Sequence, residues 1–126
     1  MSSRGKGLAL LVEDEDSIRL PLRDYLSKKG WDVLVASDGV GAIKQLLDHR
    51  VDFIVSDYRM EVLGGDYWIR FLRAFCGGMR ILITSGFLRP DFDVPFEVIY
   101  KPFDYADLEA RMSSLMEAPP AVPPAK

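Results

Sequence analysis

Leu8-Ala9-Leu10-Leu11-Val12 runs directly into Glu13-Asp14, and Phe53-Ile54-Val55-Ser56 runs directly into Asp57. Two more apolar runs end the same way: Ile81-Leu82-Ile83 on Thr84, and Val98-Ile99-Tyr100 on Lys101-Pro102. Short continuous apolar runs of this kind suit strands buried on both faces, as in a parallel sheet. If the four lie parallel, their carboxyl ends line one edge, where open α/β sheets place their ligands. Three carboxylates, a hydroxyl and an ammonium then converge there. That inventory suits a divalent cation held beside a phosphoryl group.

Working outward from these runs, strands alternate with helical stretches. Residues 8–13 read as the first strand, followed by a helix to about Lys29 capped by Asp16 or Ser17, with Ile18, Leu22, Tyr25 and Leu26 inward. Pro21 falls in or just after its first turn, where a missing N–H costs least. Residues 31–36 form a second strand, and Asp38-Gly39 starts a second helix carrying Ala42, Ile43, Leu46 and Leu47. Residues 51–56 form the third strand. Gly64 and Gly65 supply a turn, and Asp66 caps a helix bearing Trp68, Phe71, Leu72 and Phe75. Residues 80–84 and 98–100 are the last strands, and Asp104 caps a final helix through Leu108, Met112, Leu115 and Met116. This alternation predicts βαβ units and a parallel sheet with helices on both faces.

One connection breaks the rhythm. Between Thr84 and Val98, Pro90 and Pro95 leave no 3.6-residue apolar stripe, so at most one helical turn fits where a full helix is expected.

At 126 residues the chain fits one domain, expected over 8–116, with a flexible start (1–7) and a Pro/Ala-rich disordered tail or linker (117–126). A net charge of −3 offers no electrostatic footprint for nucleic acid or an anionic membrane. Arg70, Arg73, Arg80 and Arg89 make either a local basic patch or a solvated helix face. Cys76 is the only cysteine, which excludes an intrachain disulfide and suits a reducing, cytoplasmic setting. The run 8–12 is too short for a signal peptide or a membrane span.

The chemistry follows from the strand ends. Carboxylates crowded without partners repel one another, and a hard dication with oxygen ligands relieves that repulsion. Asp57 can also act as a nucleophile, forming an acyl phosphate. Charge developing on an in-line phosphoryl group needs cations and donors around it, and Lys101 and the Thr84 hydroxyl supply them.

Taken together, these residues resemble the receiver domains of two-component and phosphorelay response regulators. Leu11-Val12-Glu13-Asp14-Glu15 followed by Arg19 is similar to the family's acidic pocket. Asp57-Tyr58-Arg59-Met60 with Gly65 resembles the loop after its phosphoacceptor, and Ala36-x-Asp38-Gly39-x-x-Ala42 its second strand and helix start. Thr84-Ser85-Gly86 and Lys101-Pro102-Phe103 resemble its two remaining motifs.

The resemblance implies a flavodoxin-like, five-stranded sheet in the order 2-1-3-4-5, with the helix between the last two strands shortened or absent. It implies that Asp57 is phosphorylated from a phosphohistidine on a sensor histidine kinase or a histidine phosphotransfer protein. Glu13, Asp14, Asp57 and the backbone carbonyl of Arg59 would hold Mg²⁺ (or Mn²⁺), and Thr84 and Lys101 would contact the phosphoryl oxygens. The Lys101–Pro102 peptide would be cis. The output would be contact with a downstream protein, with no DNA-binding output domain, no nucleic acid and no membrane insertion, from a free-standing receiver or one belonging to a hybrid kinase.

Two positions depart from the pattern. Glu61 stands where the family usually has proline, and Val98 where many members carry an aromatic switch residue. Ordering of residues 86–96 is the expected response to phosphorylation in place of that switch. A receiver fold that signals by contact without being phosphorylated is the competing reading. A phosphatase with Asp14 as nucleophile and a flavin protein of similar topology fit the motifs less well.

Overall fold

A computed structural model describes residues 5–60, 62–63, 65–86 and 94–117. Five strands form one fully parallel sheet: β1 (Gly7–Val12), β2 (Trp31–Ala36), β3 (Phe53–Asp57), β4 (Arg80–Ser85) and β5 (Glu97–Tyr100). Their spatial order is β2-β1-β3-β4-β5, as expected. Among the described residues four helices cover it: α1 (Asp16–Lys28), α2 (Gly39–Asp48), α3 (Gly65–Phe75) and α4 (Tyr105–Met116).

The apolar runs are buried because both faces of the sheet are covered. Leu10, Ile54, Ile81 and Ile83 pack with Ala42 of α2 and Trp68, Ile69 and Leu72 of α3. Ala9, Leu11, Phe53, Val55 and Leu82 pack on the other face with Leu22 and Leu26 of α1 and Leu108 and Met112 of α4. Alternate residues of each strand therefore feed opposite cores, which is why the runs are continuously apolar.

Among the described residues no helix stands between β4 and β5; residues 87–93 of that connection lie outside them. The expected ordering of residues 86–96 falls mostly on that stretch, and the Pro/Ala tail, Gly64 and Glu61 also lie outside the described residues.

Several local expectations are corrected. Glu15, rather than Asp16 or Ser17, is the N-cap of α1, and its side chain makes no capping bond. The backbone takes one first-turn donor instead, with the Ile18 N–H donating to the Glu15 carbonyl at 3.1 Å. Pro21 is the sixth residue of α1, just after its first turn as expected, and the helix continues past the missing donor.

Asp66 sits inside the first turn of α3, and Asp104 occupies the N-cap of α4 without a side-chain cap bond. Asp38 does cap α2, its carboxylate accepting the Gly41 N–H at 2.8 Å. Leu47 and Phe75, counted among the apolar residues that their helices carry, are 80% and 75% exposed. Their helices cover the sheet through narrower stripes than the apolar count implied.

The third strand starts at Phe53 instead of residue 51, and the first ends at Val12, leaving Glu13 just beyond it. Gly7, expected in a free start, opens β1, and the Lys6 N–H before it donates to the Gly30 carbonyl at 2.8 Å.

Two glycines are required by the backbone around the strand ends. Gly65 has φ +62° and donates its N–H to the Tyr58 carbonyl at 2.7 Å, closing the loop after β3. At Gly39 a Cβ would stand 2.4 Å from the Leu63 carbonyl oxygen, and the Gly39 N–H donates to the Val62 carbonyl at 3.2 Å.

Candidate functional site

The carboxyl edge of the sheet brings the anticipated side chains together. Val12 pairs in register with Ser56, and Asp57 pairs with Thr84. Glu13 therefore emerges beside Asp57, and Asp57 beside Thr84. Glu13 is anchored by its own N–H, which donates to the Ala36 carbonyl at 3.0 Å, while Arg19 Nη1 donates to the Glu13 carbonyl at 2.8 Å. Arg19 also pairs with Asp16. Lys101 is placed by its N–H, which donates to the Ser85 carbonyl at 2.8 Å, and the Lys101–Pro102 bond is cis.

The Lys101 Nζ lies 3.2 Å from Asp57 Oδ2 and 3.1 Å from Glu13 Oε1, with Glu15 Oε1 further off at 3.8 Å. Glu13, Asp57 and Thr84 are buried, whereas Asp14 is exposed at the mouth. A cavity of about 540 Å³ opens onto the cluster, lined by Asp14, Glu15, Asp57, Arg59, Gly86 and Lys101. Arg59 thus borders the cavity, and its N–H donates to the Asp57 carboxylate.

The electrostatics are unbalanced. Burial, then the charge of Asp57, raises the Glu13 carboxyl above its ordinary value against the pull of Lys101. Burial likewise raises Asp57, and the Lys101 ammonium only partly offsets it. Burial works to lower Lys101, but the charges of Asp57 and Glu13 outweigh it and hold the ammonium protonated to higher pH.

Oxygens of Glu13, Asp14 and Asp57 all lie within 4.8 Å of one another. Three ionised carboxylates against one ammonium leave two negative charges uncompensated, which a dication with oxygen ligands would balance. Among the described residues the buried Thr84 Oγ1 has no hydrogen-bond partner. A buried hydroxyl without a partner is costly, so one beside an anion-binding cavity marks a place for an incoming oxygen. The residues present fit Mg²⁺ and a phosphoryl group.

Sequence reasoning missed the supports behind Asp57. Ser56 and Trp68 are completely buried. Trp68 Nε1 donates to Ser56 Oγ at 2.7 Å, and Ser56 Oγ donates to the Asp57 carbonyl at 3.0 Å. The Tyr58 hydroxyl donates to Asp66 Oδ1 at 2.6 Å. These bonds tie both neighbours of Asp57 to α3. The available signal was a serine closing an apolar run and a tryptophan on an inner helix face, whose N–H needs a partner when buried.

A doubly wound sheet with an acid-rich pocket, a strand-end hydroxyl and a lysine at its carboxyl edge defines a phosphoryl-handling signalling fold. Residues 9–113 match the response regulator receiver domain family, and the chain belongs to that family. Members of the family are phosphorylated on an aspartate and bind Mg²⁺ as a rule.

The chain is 31% identical over 121 residues to the sensor kinase CckA of Brucella abortus, covering 90% of this chain and 13% of that protein. It is 29% identical over 110 residues to the transcriptional regulatory protein YxdJ of Bacillus subtilis, covering 83% and 48%. The chain thus spans a small part of the kinase and about half of the regulator. Among solved structures, the receiver domain of the hybrid histidine kinase CckA superposes with a TM-score of 0.75 at 27% identity, covering 87% of this chain and 99% of that one. The Francisella response regulator 1452 receiver domain shares the fold, with a TM-score of 0.79 at 23% identity, covering 89% and 98%.

Proposed function

We propose that Asp57 accepts a phosphoryl group from a phosphohistidine on a sensor histidine kinase or a histidine phosphotransfer protein. A carboxylate oxygen of Asp57 attacks phosphorus, the P–N bond breaks, and its electron pair returns to the imidazole nitrogen. Glu13, Asp14, Asp57 and the Arg59 carbonyl are the ligands for Mg²⁺ or Mn²⁺, which when bound offsets charge on the phosphoryl oxygens. Lys101 Nζ, already 3.2 Å from Asp57, takes one phosphoryl oxygen, and the Thr84 hydroxyl donates to another.

The observation that supports this most directly is the convergence of Asp57, Glu13 and Lys101 under an unpartnered Thr84 hydroxyl. The protein works in the cytoplasm, and phosphorylation changes its contacts with a downstream protein, without nucleic-acid binding or membrane insertion. Among the described residues no helix is long and apolar enough to cross a membrane. Incubation with Mg²⁺ and a small acyl phosphate, followed by intact mass, tests the reading. The wild type gains one phosphoryl mass and Asp57→Asn gains none; no gain in the wild type with any donor would leave a receiver fold that signals by contact alone.

A further inference from the structure

Ser56 and Trp68 form a buried polar pair outside the cavity. Ser56 follows Ile54 by two residues, so its side chain enters the core between the sheet and α3, whereas that of the next residue, Asp57, reaches Lys101. The surroundings of the pair are apolar: Leu10, Ile54, Ile83 and Leu72 belong to the same cluster as Trp68. Alanine at position 56 with phenylalanine at position 68 would leave that core no polar atom to satisfy. Replacing both partners of a buried hydrogen bond by apolar groups is close to neutral for stability. Stability therefore gives little reason for the pair.

Its position gives one. The Ser56 hydroxyl accepts from Trp68 Nε1 at 2.7 Å, which leaves its own proton for the Asp57 carbonyl at 3.0 Å. The same peptide unit is held on its other side, where the Tyr58 N–H donates to the Thr84 carbonyl at 2.9 Å. The plane of that unit sets ψ at Asp57, and so the direction in which its carboxylate leaves the strand end. The indole is itself fixed: it is completely buried and stacked on Phe71, with ring centroids 5.5 Å apart and planes 8° from parallel. A buried indole N–H without an acceptor is costly, so Trp68 holds the serine hydroxyl in one orientation.

We propose that Trp68 and Ser56 are positioning residues for phosphoryl transfer to Asp57. The indole N–H orients the serine hydroxyl, the hydroxyl fixes the peptide unit after Asp57, and the carboxylate is thereby aimed for in-line attack beside Lys101. The inference rests on the proposed phosphorylation of Asp57 and extends it to two residues that touch neither the phosphoryl group nor the cation. Positioning of this kind acts on rate, because small misplacements of a reacting atom slow its reaction steeply.

Trp68→Phe, Ser56→Ala and the double variant are compared with the wild type for stability in urea. The rate of phosphoryl gain from acetyl phosphate with Mg²⁺ is read by timed intact mass. The double variant is expected to unfold at close to the wild-type urea concentration and yet to gain the phosphoryl group about tenfold more slowly. Each single variant is expected to be as slow as the double, since either substitution breaks the same chain and the losses do not multiply. In the wild type the indole N–H resonance of Trp68 is expected to move on phosphorylation, with Trp31, at the amino end of the sheet, as the unmoved reference. In Ser56→Ala the Trp68 resonance is expected to stay in place. Where Trp68→Phe does not fold, Ser56→Ala, which removes a single oxygen, supplies rate and resonance by itself.

A slow Ser56→Ala or double variant that keeps its stability supports the positioning role. A double variant as fast as the wild type, losses that multiply, a rate loss that follows lost stability, or a Trp68 resonance indifferent to phosphorylation would each overturn it and leave phosphorylation of Asp57 standing. A wild type that gains no phosphoryl mass would remove that reading and this inference together.

Discussion

Two lysine–carboxylate clusters sit at opposite ends of the same sheet, and they are built in opposite ways. At the amino end, before β1 and at the start of β2, Glu109 Oε2 accepts from Lys6 Nζ at 2.6 Å, Trp31 Nε1 at 3.1 Å and Ser113 Oγ at 2.9 Å. Burial alone would raise the Glu109 carboxyl, but those donors and the Lys6 charge lower it. At the carboxyl end one ammonium serves both Glu13 and Asp57, and both carboxyls are raised. Fully satisfied, the first cluster ties the strand starts to α4. Short of positive charge and donors, the second is arranged for something yet to arrive. A buried polar group at a functional site is recognisable by what it lacks.

The comparison can be broken at several points. The largest effect is expected at Lys101. Lys101→Ala should slow acyl-phosphate formation roughly 10²-fold, the size of losing one charged stabiliser of a phosphoryl transition state. Glu109→Gln should leave that rate unchanged. Rates from timed intact-mass measurements compare the two, and equal slowing would show that the two ends are not functionally distinct.

Mg²⁺ gives the next contrast. At about 100 times its Kd, binding to the folded state alone should stabilise the wild type by about 2.7 kcal/mol in urea titrations. Glu109→Gln should retain this gain, while Asp57→Asn should lose most of it. A gain insensitive to Asp57 would move the cation elsewhere.

The smallest effects carry the sharpest signs. Glu109 is lowered on folding, so its ionisation stabilises the protein above its ordinary value of 4.5, and that stability is lost as pH falls through the folded value. Glu109→Gln should therefore cost about 1 kcal/mol at pH 7, after allowance for its partial exposure. The difference should shrink towards acid.

Asp57 is raised, so its contribution has the opposite sign: full below its ordinary value of 3.8 and lost as pH rises through the folded value. In chelated buffer Asp57→Asn should melt higher than the wild type at pH 7, and this advantage should vanish below pH 3.8. Melting curves of both variants across pH read the signs directly; two shifts in the same direction would contradict the contrast.

The two ends also differed in how legible they were. The carboxyl-end cluster could be located because buried parallel strands are continuous apolar runs, and each run stops on a polar residue that the sheet edge brings together. Glu13, Asp57, Thr84 and Lys101 needed only that pattern and the strand order. The Glu109 cluster left no such trace. Its partners lie 103 and 78 residues away for Lys6 and Trp31, and nothing local couples them.

Ser56 was hidden for a related reason, because a serine inside an apolar run reads as a strand residue until Trp68 is seen beside it. Asp104 takes the N-cap position expected of it without a side-chain bond, while Asp16 and Asp66 fall inside their helices, because residue type marks a preference and local backbone direction decides whether a carboxylate meets an N–H. The exposure of Leu47 and Phe75 was not legible because periodicity counts apolar residues without showing which of them anything covers.

The close approach at Gly39 has a mechanical consequence. The start of α2 and the backbone at Val62–Leu63 touch with no space for even a methyl group between them. Two segments far apart in sequence thereby behave as a single part with no slack. A displacement of the backbone at Val62–Leu63 would therefore press directly on the start of α2. A side chain at Gly39 would have to part these two segments, so the joint sets how closely α2 can sit against that backbone.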